Sequence, residues 1–221
     1  MDGKLVLGYW GVQGLAHPTR YLLAYHKIDW EDKQYKDAAE WFDVDKKTID
    51  TFPNLPYIKD GDTVVTESVA VIQYAAFKTG NTDLLGKNRM DSIKIYQCYG
   101  VIDDLNGAIL KLAKDQEYDK VRDTTLKEKI VPYLKKLSAE LVDKEYLLGY
   151  LTWVDFVFFN ALDLVNRMNS ETLKEFSNLV KYHEKFYENE NIRAFRKSEK
   201  YPRLYHSANY VKWTGEDRND A

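Results

Sequence analysis

Cysteine is nearly missing from this chain: Cys98 stands alone among 221 residues. A single thiol excludes an internal disulfide and suits a reducing compartment. Cys98 also falls in a helical pattern with no histidine near it, which reads as a buried, inert thiol rather than a nucleophile. Histidine is scarce too. His17, His26, His183 and His206 show no ligand spacing, and neither HExxH nor CxxC occurs, so no metal is expected. Gly11-Val12-Gln13-Gly14 lacks both the Lys-Ser/Thr ending and the third glycine of the nucleotide-binding loops. No apolar run approaches the ~18 residues of a membrane span. Met1-Asp2-Gly3-Lys4 leads straight into a strand pattern with no signal-peptide core, so a cytoplasmic protein is expected. Excess charge is absent as well: a formal net charge of −3 leaves no basic footprint for nucleic acid.

Charged residues make up 30% and aromatic residues 14%, with 17 tyrosines, the composition of an ordered globular chain with pockets. Its length accommodates one large or two small domains with ample core. From Lys4 to about Thr79 strand and helix signals alternate. Leu5-Val6-Leu7 is a short apolar strand ending at Gly8-Tyr9-Trp10, followed by a glycine-punctuated loop. Pro18 suits a first helical turn, and Thr19 to His26 then form a helix with Leu22 and Leu23 inward. Trp30 to Tyr35 reads as a second strand. Tyr57-Ile58 and Thr63-Val64-Val65 flank Lys59-Asp60-Gly61-Asp62, a hairpin signal. The order is βαβ, a long loop, ββ, α.

Two short runs carry chemistry. In Thr66-Glu67-Ser68-Val69 a strand end turns through an acid and a hydroxyl into an amphipathic helix. A helix start leaves N–H groups unpartnered at the positive end of the dipole and attracts a carboxylate. Ser68 adds a hydroxyl and Glu67 the opposite charge, so the pair can clamp an amino-acid zwitterion; read alone, Ser68 is more simply the cap of its own helix. In Pro53-Asn54-Leu55-Pro56, a cis Leu55-Pro56 bond would leave the Leu55 N–H and C=O free for an extended ligand. With only about one X–Pro bond in twenty cis in folded proteins, trans is the expectation.

Gly80-Asn81-Thr82-Asp83 and Gly86-Lys87-Asn88 form a polar linker, beyond which strand signals vanish. Ile102, Leu105, Ile109 and Leu112 recur at helical spacing, as do Leu126, Ile130, Leu134, Leu137 and Leu141, so the second half is a helical bundle. Thr152-Trp153-Val154-Asp155 reads as a capping box, and Phe156, Val157, Phe159 and Leu162 make the helix it opens apolar nearly all round.

Gly8-Tyr9-Trp10, Gly14-Leu15-Ala16-His17, Arg20, Trp41, Phe52-Pro53-Asn54-Leu55-Pro56-Tyr57, Glu67-Ser68 and the Thr152–Asp155 box together resemble a cytosolic glutathione transferase of the mu class. The match runs collinearly from about Leu5 to Trp213. The resemblance implies a thioredoxin-like α/β glutathione-binding domain (1–85), an all-α domain (90–221) contributing the electrophile pocket, and a homodimer with Phe52 as its aromatic key. It implies detoxification: the glutathione thiolate adds to hydrophobic electrophiles, with glutathione as co-substrate and no cofactor. A glutathione-dependent isomerase on the same fold, or a non-catalytic ligand-binding or structural descendant, are the rival readings.

In that picture Tyr9 is the catalytic hydroxyl, protonated at neutral pH and able to donate to the sulfur anion. Ser68 and Glu67 clamp the γ-glutamyl end, with Asp104 of the partner subunit adding a carboxylate. Leu55, preceding Pro56, supplies the backbone pair for the cysteinyl unit. Trp41 donates to the glycine carboxylate, while Trp10, Leu15 and Asn54 line the site. Leu110, Lys114, Tyr205 and Ser207, again with Leu15, shape the electrophile pocket. Three positions depart from the family pattern. Asp45 stands where a lysine is usual, leaving Lys46 or Lys47 as the cation; Glu67 replaces a glutamine; and Lys114 falls near the place of the family's second tyrosine.

Overall fold

The computed structural model describes residues 4–217. Strand β1 (Leu5–Trp10) extends past the apolar Leu5-Val6-Leu7 start, so Tyr9 and Trp10 are strand residues. Helix α1 (His17–Tyr25) opens with Pro18 in its first turn, where a missing N–H costs nothing, and buries Leu22 and Leu23. Strand β2 (Trp30–Tyr35) returns parallel to β1, Leu5 opposite Trp30 and Trp10 opposite Tyr35. Strands β3 (Tyr57–Asp60) and β4 (Thr63–Thr66) form a hairpin about Gly61-Asp62, and β3 runs antiparallel to β1. The sheet order is β2-β1-β3-β4. Helix α2 (Ser68–Lys78) closes this unit. The loop between β2 and β3 is partly wound, with short helical turns at Glu40–Val44 and Asp45–Lys47.

The rest is helical: α3 (Arg89–Lys114), α4 (Tyr118–Thr125), α5 (Val131–Leu141), α6 (Trp153–Met168), α7 (Ser170–Lys174), α8 (Ser177–Tyr187) and α9 (Glu190–Lys197). The Thr152 capping box is formed. Asp155 accepts from the Thr152 N–H and hydroxyl, both at 2.8 Å, and from the Leu147 N–H and the Tyr182 hydroxyl. Four donors on one buried carboxylate fix the start of α6, each contributing roughly 1 kcal/mol net. From Trp153 to Val165 every residue of α6 is buried, and it packs against α1, α3 and α8. One apolar core joins the sheet unit to the helices, running from Leu7, Leu22 and Ile58 to Phe156, Phe159 and Phe186.

Two buried ionic devices set the chain around the future site. Arg20, on α1, bonds both carboxylate oxygens of Asp32 through Nε at 3.1 and 3.0 Å, and reaches the carbonyls of Val12 and Trp10 through its other nitrogens. It thereby pins the loop after β1. The second binds the tail that follows α9. Arg196 meets Asp217 at 2.7 Å, and Arg167 bonds the Gly215 carbonyl, the Gln13 side chain and Asp163. Burial pushes the Asp163 carboxyl up, but Arg167, His183 and Arg196 outweigh it and hold the group well below the ordinary carboxylate range. Gln13, sterile as part of a phosphate loop, thus fastens the tail, donating also to the Pro202 carbonyl at 3.0 Å.

Candidate active site

A cavity of about 1000 Å³ opens between the sheet unit and the helices, at the upper end of the range for ligand pockets. Tyr9, Trp10, Leu15, Ser68, Leu110, Tyr205 and Ser207 line it, so the structure brings together expected residues from the first strand, α2, α3 and the tail. The tail reaches the cavity because the Gln13 and Gly14 N–H groups donate to the carbonyls of Leu204 and Tyr205, at 2.8 and 3.0 Å.

Tyr9 is 4% exposed, and its hydroxyl accepts from the Leu15 backbone N–H at 3.1 Å. Gly14 makes that approach possible. Its φ is +41°, and a Cβ there would sit 2.5 Å from the Tyr9 hydroxyl oxygen. Burial raises the Tyr9 pKa, and the Leu15 N–H and Arg20 offset this only in part, so the phenol stays protonated at neutral pH. Its own proton has no acceptor among the described residues.

Glu67 holds the residue before α2 at φ 69°, in the left-handed region rare for residues with a side chain. Since Glu67 occupies the cap position, Ser68 is the first helical residue and does not cap its own helix, which removes the simpler reading of that run. The Ser68 and Val69 edge of the helix start faces the cavity instead.

Leu55-Pro56 is cis, against the expectation from sequence alone. Asn54 bridges the two halves of the clamp: its amide nitrogen donates to Glu67 Oε1 at 2.8 Å and its oxygen accepts from the Leu55 N–H at 2.9 Å. Asn54, Leu55, Pro56 and Glu67 are therefore grouped beside Ser68 although they are not walls of the main cavity. Trp41 is buried in a cluster with Tyr9, Tyr35, Leu55 and Tyr57, stacked on the Tyr57 ring at 6.2 Å.

Asp45 belongs to a local network. It accepts from Lys33 at 2.6 Å and from the Tyr35 hydroxyl, which also meets the Tyr57 hydroxyl at 3.0 Å. Burial raises the Asp45 pKa, but these donors prevail and lower it, so Asp45 is an anion neutralised by Lys33. Lys46 lies 5.2 Å from the centre of the Phe42 ring.

Lys114 requires correction as a pocket wall. It is not among the lining residues; its ammonium is drawn over the Tyr210 ring, 3.9 Å from the centroid, and Tyr210 is the wall. On α3 the cavity meets Asp103 and not its neighbour Asp104; both are exposed. Sequence reasoning missed Thr19, Tyr99, Asn160, His206 and Tyr210, all of which line the cavity. Cys98 is buried, its thiol pushed up to about 11 by desolvation, an inert group as expected. No group of residues able to hold a metal occurs among the described residues, and no helix there is long and apolar enough to cross a membrane.

Comparison with known proteins agrees with this geometry. Residues 5–76 match the family model for the glutathione S-transferase N-terminal domain, and residues 103–199 match that for the C-terminal domain. The class-mu 26 kDa glutathione S-transferase isozyme of Schistosoma mansoni is 34% identical over 209 residues, covering 93% of this chain and 90% of that one. Glutathione S-transferase Mu 5 of Rattus norvegicus is 30% identical over 225 residues, covering 95% of each. The solved Pi-class enzyme of Onchocerca volvulus superposes with a TM-score of 0.81 at 22% identity, over 97% of this chain and all of that one, which supports the fold. The chain belongs to the glutathione S-transferase family, with the mu class as its kin, and glutathione is its co-substrate.

Proposed function

We propose that Tyr9 is the group that turns this family membership into catalysis. The observation that carries the reading is the orientation of its hydroxyl: the Leu15 N–H occupies the oxygen at 3.1 Å, leaving the proton to be donated into the cavity. A thiol near pKa ~8.5 is mostly protonated at neutral pH, and a donor that prefers the anion shifts it toward the nucleophilic thiolate. The Leu15 N–H polarises the phenol and makes it a better donor without ionising it.

Glutathione binding is assigned around that centre. Glu67 and Ser68 hold the γ-glutamyl zwitterion, aided by the N-terminus of α2 and by Asp104 of a second copy. The Leu55 backbone pairs with the cysteinyl unit, so glutathione replaces the Asn54 side chain at both Glu67 and the Leu55 N–H, and Asn54 turns to line the site. Trp41 donates to the glycine carboxylate. Asp45 being committed to Lys33 and Tyr35, Lys46 is the cation proposed there. Hydrophobic electrophiles enter over Trp10, Leu15, Leu110, Tyr205 and Ser207, for detoxification in the cytoplasm. The working unit is a homodimer keyed by Phe52, which is apolar and 74% exposed. Residues 1–85 serve as the glutathione domain and 90–221 as the electrophile domain.

The test is conjugation of glutathione to chlorodinitrobenzene, followed by absorbance, with the unmutated chain and Tyr9→Phe. Turnover that depends on Tyr9 is expected. If the chain binds glutathione by calorimetry yet turns over neither this electrophile nor others, it is a non-catalytic descendant.

A further inference from the structure

Tyr210 stands in the tail wall of the cavity with its hydroxyl uncommitted. The residue is 51% exposed, and the hydroxyl has no hydrogen-bond partner among the described residues. Its ring is held from two sides. Lys114, the last residue of α3, sets its ammonium 3.9 Å from the ring centroid, and the His206 ring packs at 5.0 Å. The hydroxyl lies toward the catalytic end of the cavity: burial is the main cause that raises the pKa of Tyr9 and of Tyr205, and the Tyr210 hydroxyl adds to both shifts. The three phenols therefore act on one another electrostatically.

They are not equivalent as proton donors. On the reading above, Tyr9 directs its proton at the thiol. Tyr205 is 6% exposed, and burial keeps its proton in place. Tyr210 combines a cation at its ring face, which favours negative charge on the phenol, with solvent at hand to return a proton. A phenol so placed can give up its proton during a reaction and recover it afterwards.

We propose that Tyr210 is the proton donor for electrophiles whose leaving oxygen stays attached to the product, the epoxides, and that Lys114 positions it. The proposal rests on the transferase reading above and names a substrate class for it. The glutathione sulfur forms a bond to an epoxide carbon, the carbon–oxygen bond breaks, and its electron pair stays on the oxygen. That oxygen takes the Tyr210 phenol proton; an alkoxide is far more basic than a phenolate, whose acid has an ordinary pKa of about 10. Water returns a proton to Tyr210, balanced by the one released when the next glutathione ionises. One thiol and one epoxide thus give one hydroxy thioether.

The experiment compares 4-nitrostyrene oxide with 4-nitrobenzyl chloride, which both alkylate a thiolate, although chloride leaves without needing a proton. The readout is the ratio of kcat/KM for the epoxide to that for the chloride at saturating glutathione, with the bound thiol pKa titrated alongside. Tyr210→Phe keeps the ring and is expected to lower the ratio at least roughly tenfold, water replacing part of the ~100-fold or more that a positioned acid contributes, while the thiol pKa stays in place. Lys114→Met is expected to lower the ratio several-fold, and to add nothing in the Tyr210→Phe background, because it acts only through that hydroxyl. Conjugation of the chloride but not the epoxide by the unmutated enzyme overturns the role of Tyr210. So does a ratio that Tyr210→Phe leaves unchanged, one that Tyr205→Phe lowers as far, or a thiol pKa that moves with it. Each of these leaves the transferase reading standing; glutathione binding without turnover of either compound overturns that reading and the proton donor with it.

Discussion

Replacing Tyr9 by Phe removes one oxygen, whose partner the structure shows, and one proton, which the proposed mechanism directs at the thiol. The oxygen accepts from the Leu15 N–H at 3.1 Å, so its loss leaves a partly buried donor without a partner. That costs about 1 kcal/mol of stability, which for a chain of this size lowers Tm by roughly 2–4 °C. The fold survives. The proton has the larger effect. A hydrogen bond to a charged group contributes ~1.5–3 kcal/mol, equivalent at ~1.36 kcal/mol per unit to about one to two pKa units on the bound thiol. On the proposed mechanism the donor favours the anion and lowers the thiol pKa in the unmutated complex, so Tyr9→Phe should raise it. The thiolate fraction at neutral pH should fall about 10–100-fold and turnover with it. The deficit should close as pH rises past the new pKa, where bulk deprotonation supplies the anion. Thiolate absorbance titrated in the binary complex reads this directly. An unchanged thiol pKa in Tyr9→Phe would refute the reasoning, whatever happened to the rate.

Glu67→Ala should weaken glutathione binding roughly 10–100-fold, the range of one charge-assisted hydrogen bond; isothermal calorimetry showing equal affinity removes Glu67 from the clamp. Phe52→Ala should loosen the dimer, since burying a Phe side chain contributes roughly 1.5–3 kcal/mol; light scattering that finds the unmutated chain monomeric at micromolar concentration disposes of the key. Arg20→Met strands Asp32, whose side chain is 1% exposed, without its cation. A broken buried pair costs about 3–5 kcal/mol, so Tm should drop by roughly 6–20 °C; a shift under 2 °C by scanning calorimetry would show that Asp32 finds water or a proton instead.

Most of the architecture was legible because local signals were strong. Pro18 and the Thr152–Asp155 box marked helix starts, and Gly61-Asp62 marked the hairpin; all three elements formed there. Tyr9 and Ser68 were legible as wall residues only because many motifs lay in collinear order. What the sequence concealed has physical causes. Nothing in Pro53-Asn54-Leu55-Pro56 distinguishes cis from trans, because tertiary contacts select the isomer. Asn160 lay inside a run so apolar that helical periodicity carried no information about which side met the cavity. Lys114 was placed by counting along α3, yet a long flexible ammonium goes where an aromatic face draws it, and that face belongs to the tail. That Asp103 rather than Asp104 lines this chain's own cavity turns on about 100° of helix rotation, finer than any spacing argument.

The tail after α9 is held at both ends and open in the middle. Leu204 and Tyr205 are tied to Gln13 and Gly14, Lys212 and Trp213 to the Ala113 carbonyl, and Gly215 and Asp217 to the buried arginines. Between these moorings, Ser207, Asn209 and Tyr210 line the cavity and are exposed. The arrangement works like a bridge deck between fixed abutments: the deck can be resurfaced while its supports stand. A substitution in that stretch changes the cavity wall while the moorings and the core behind it stay as they are.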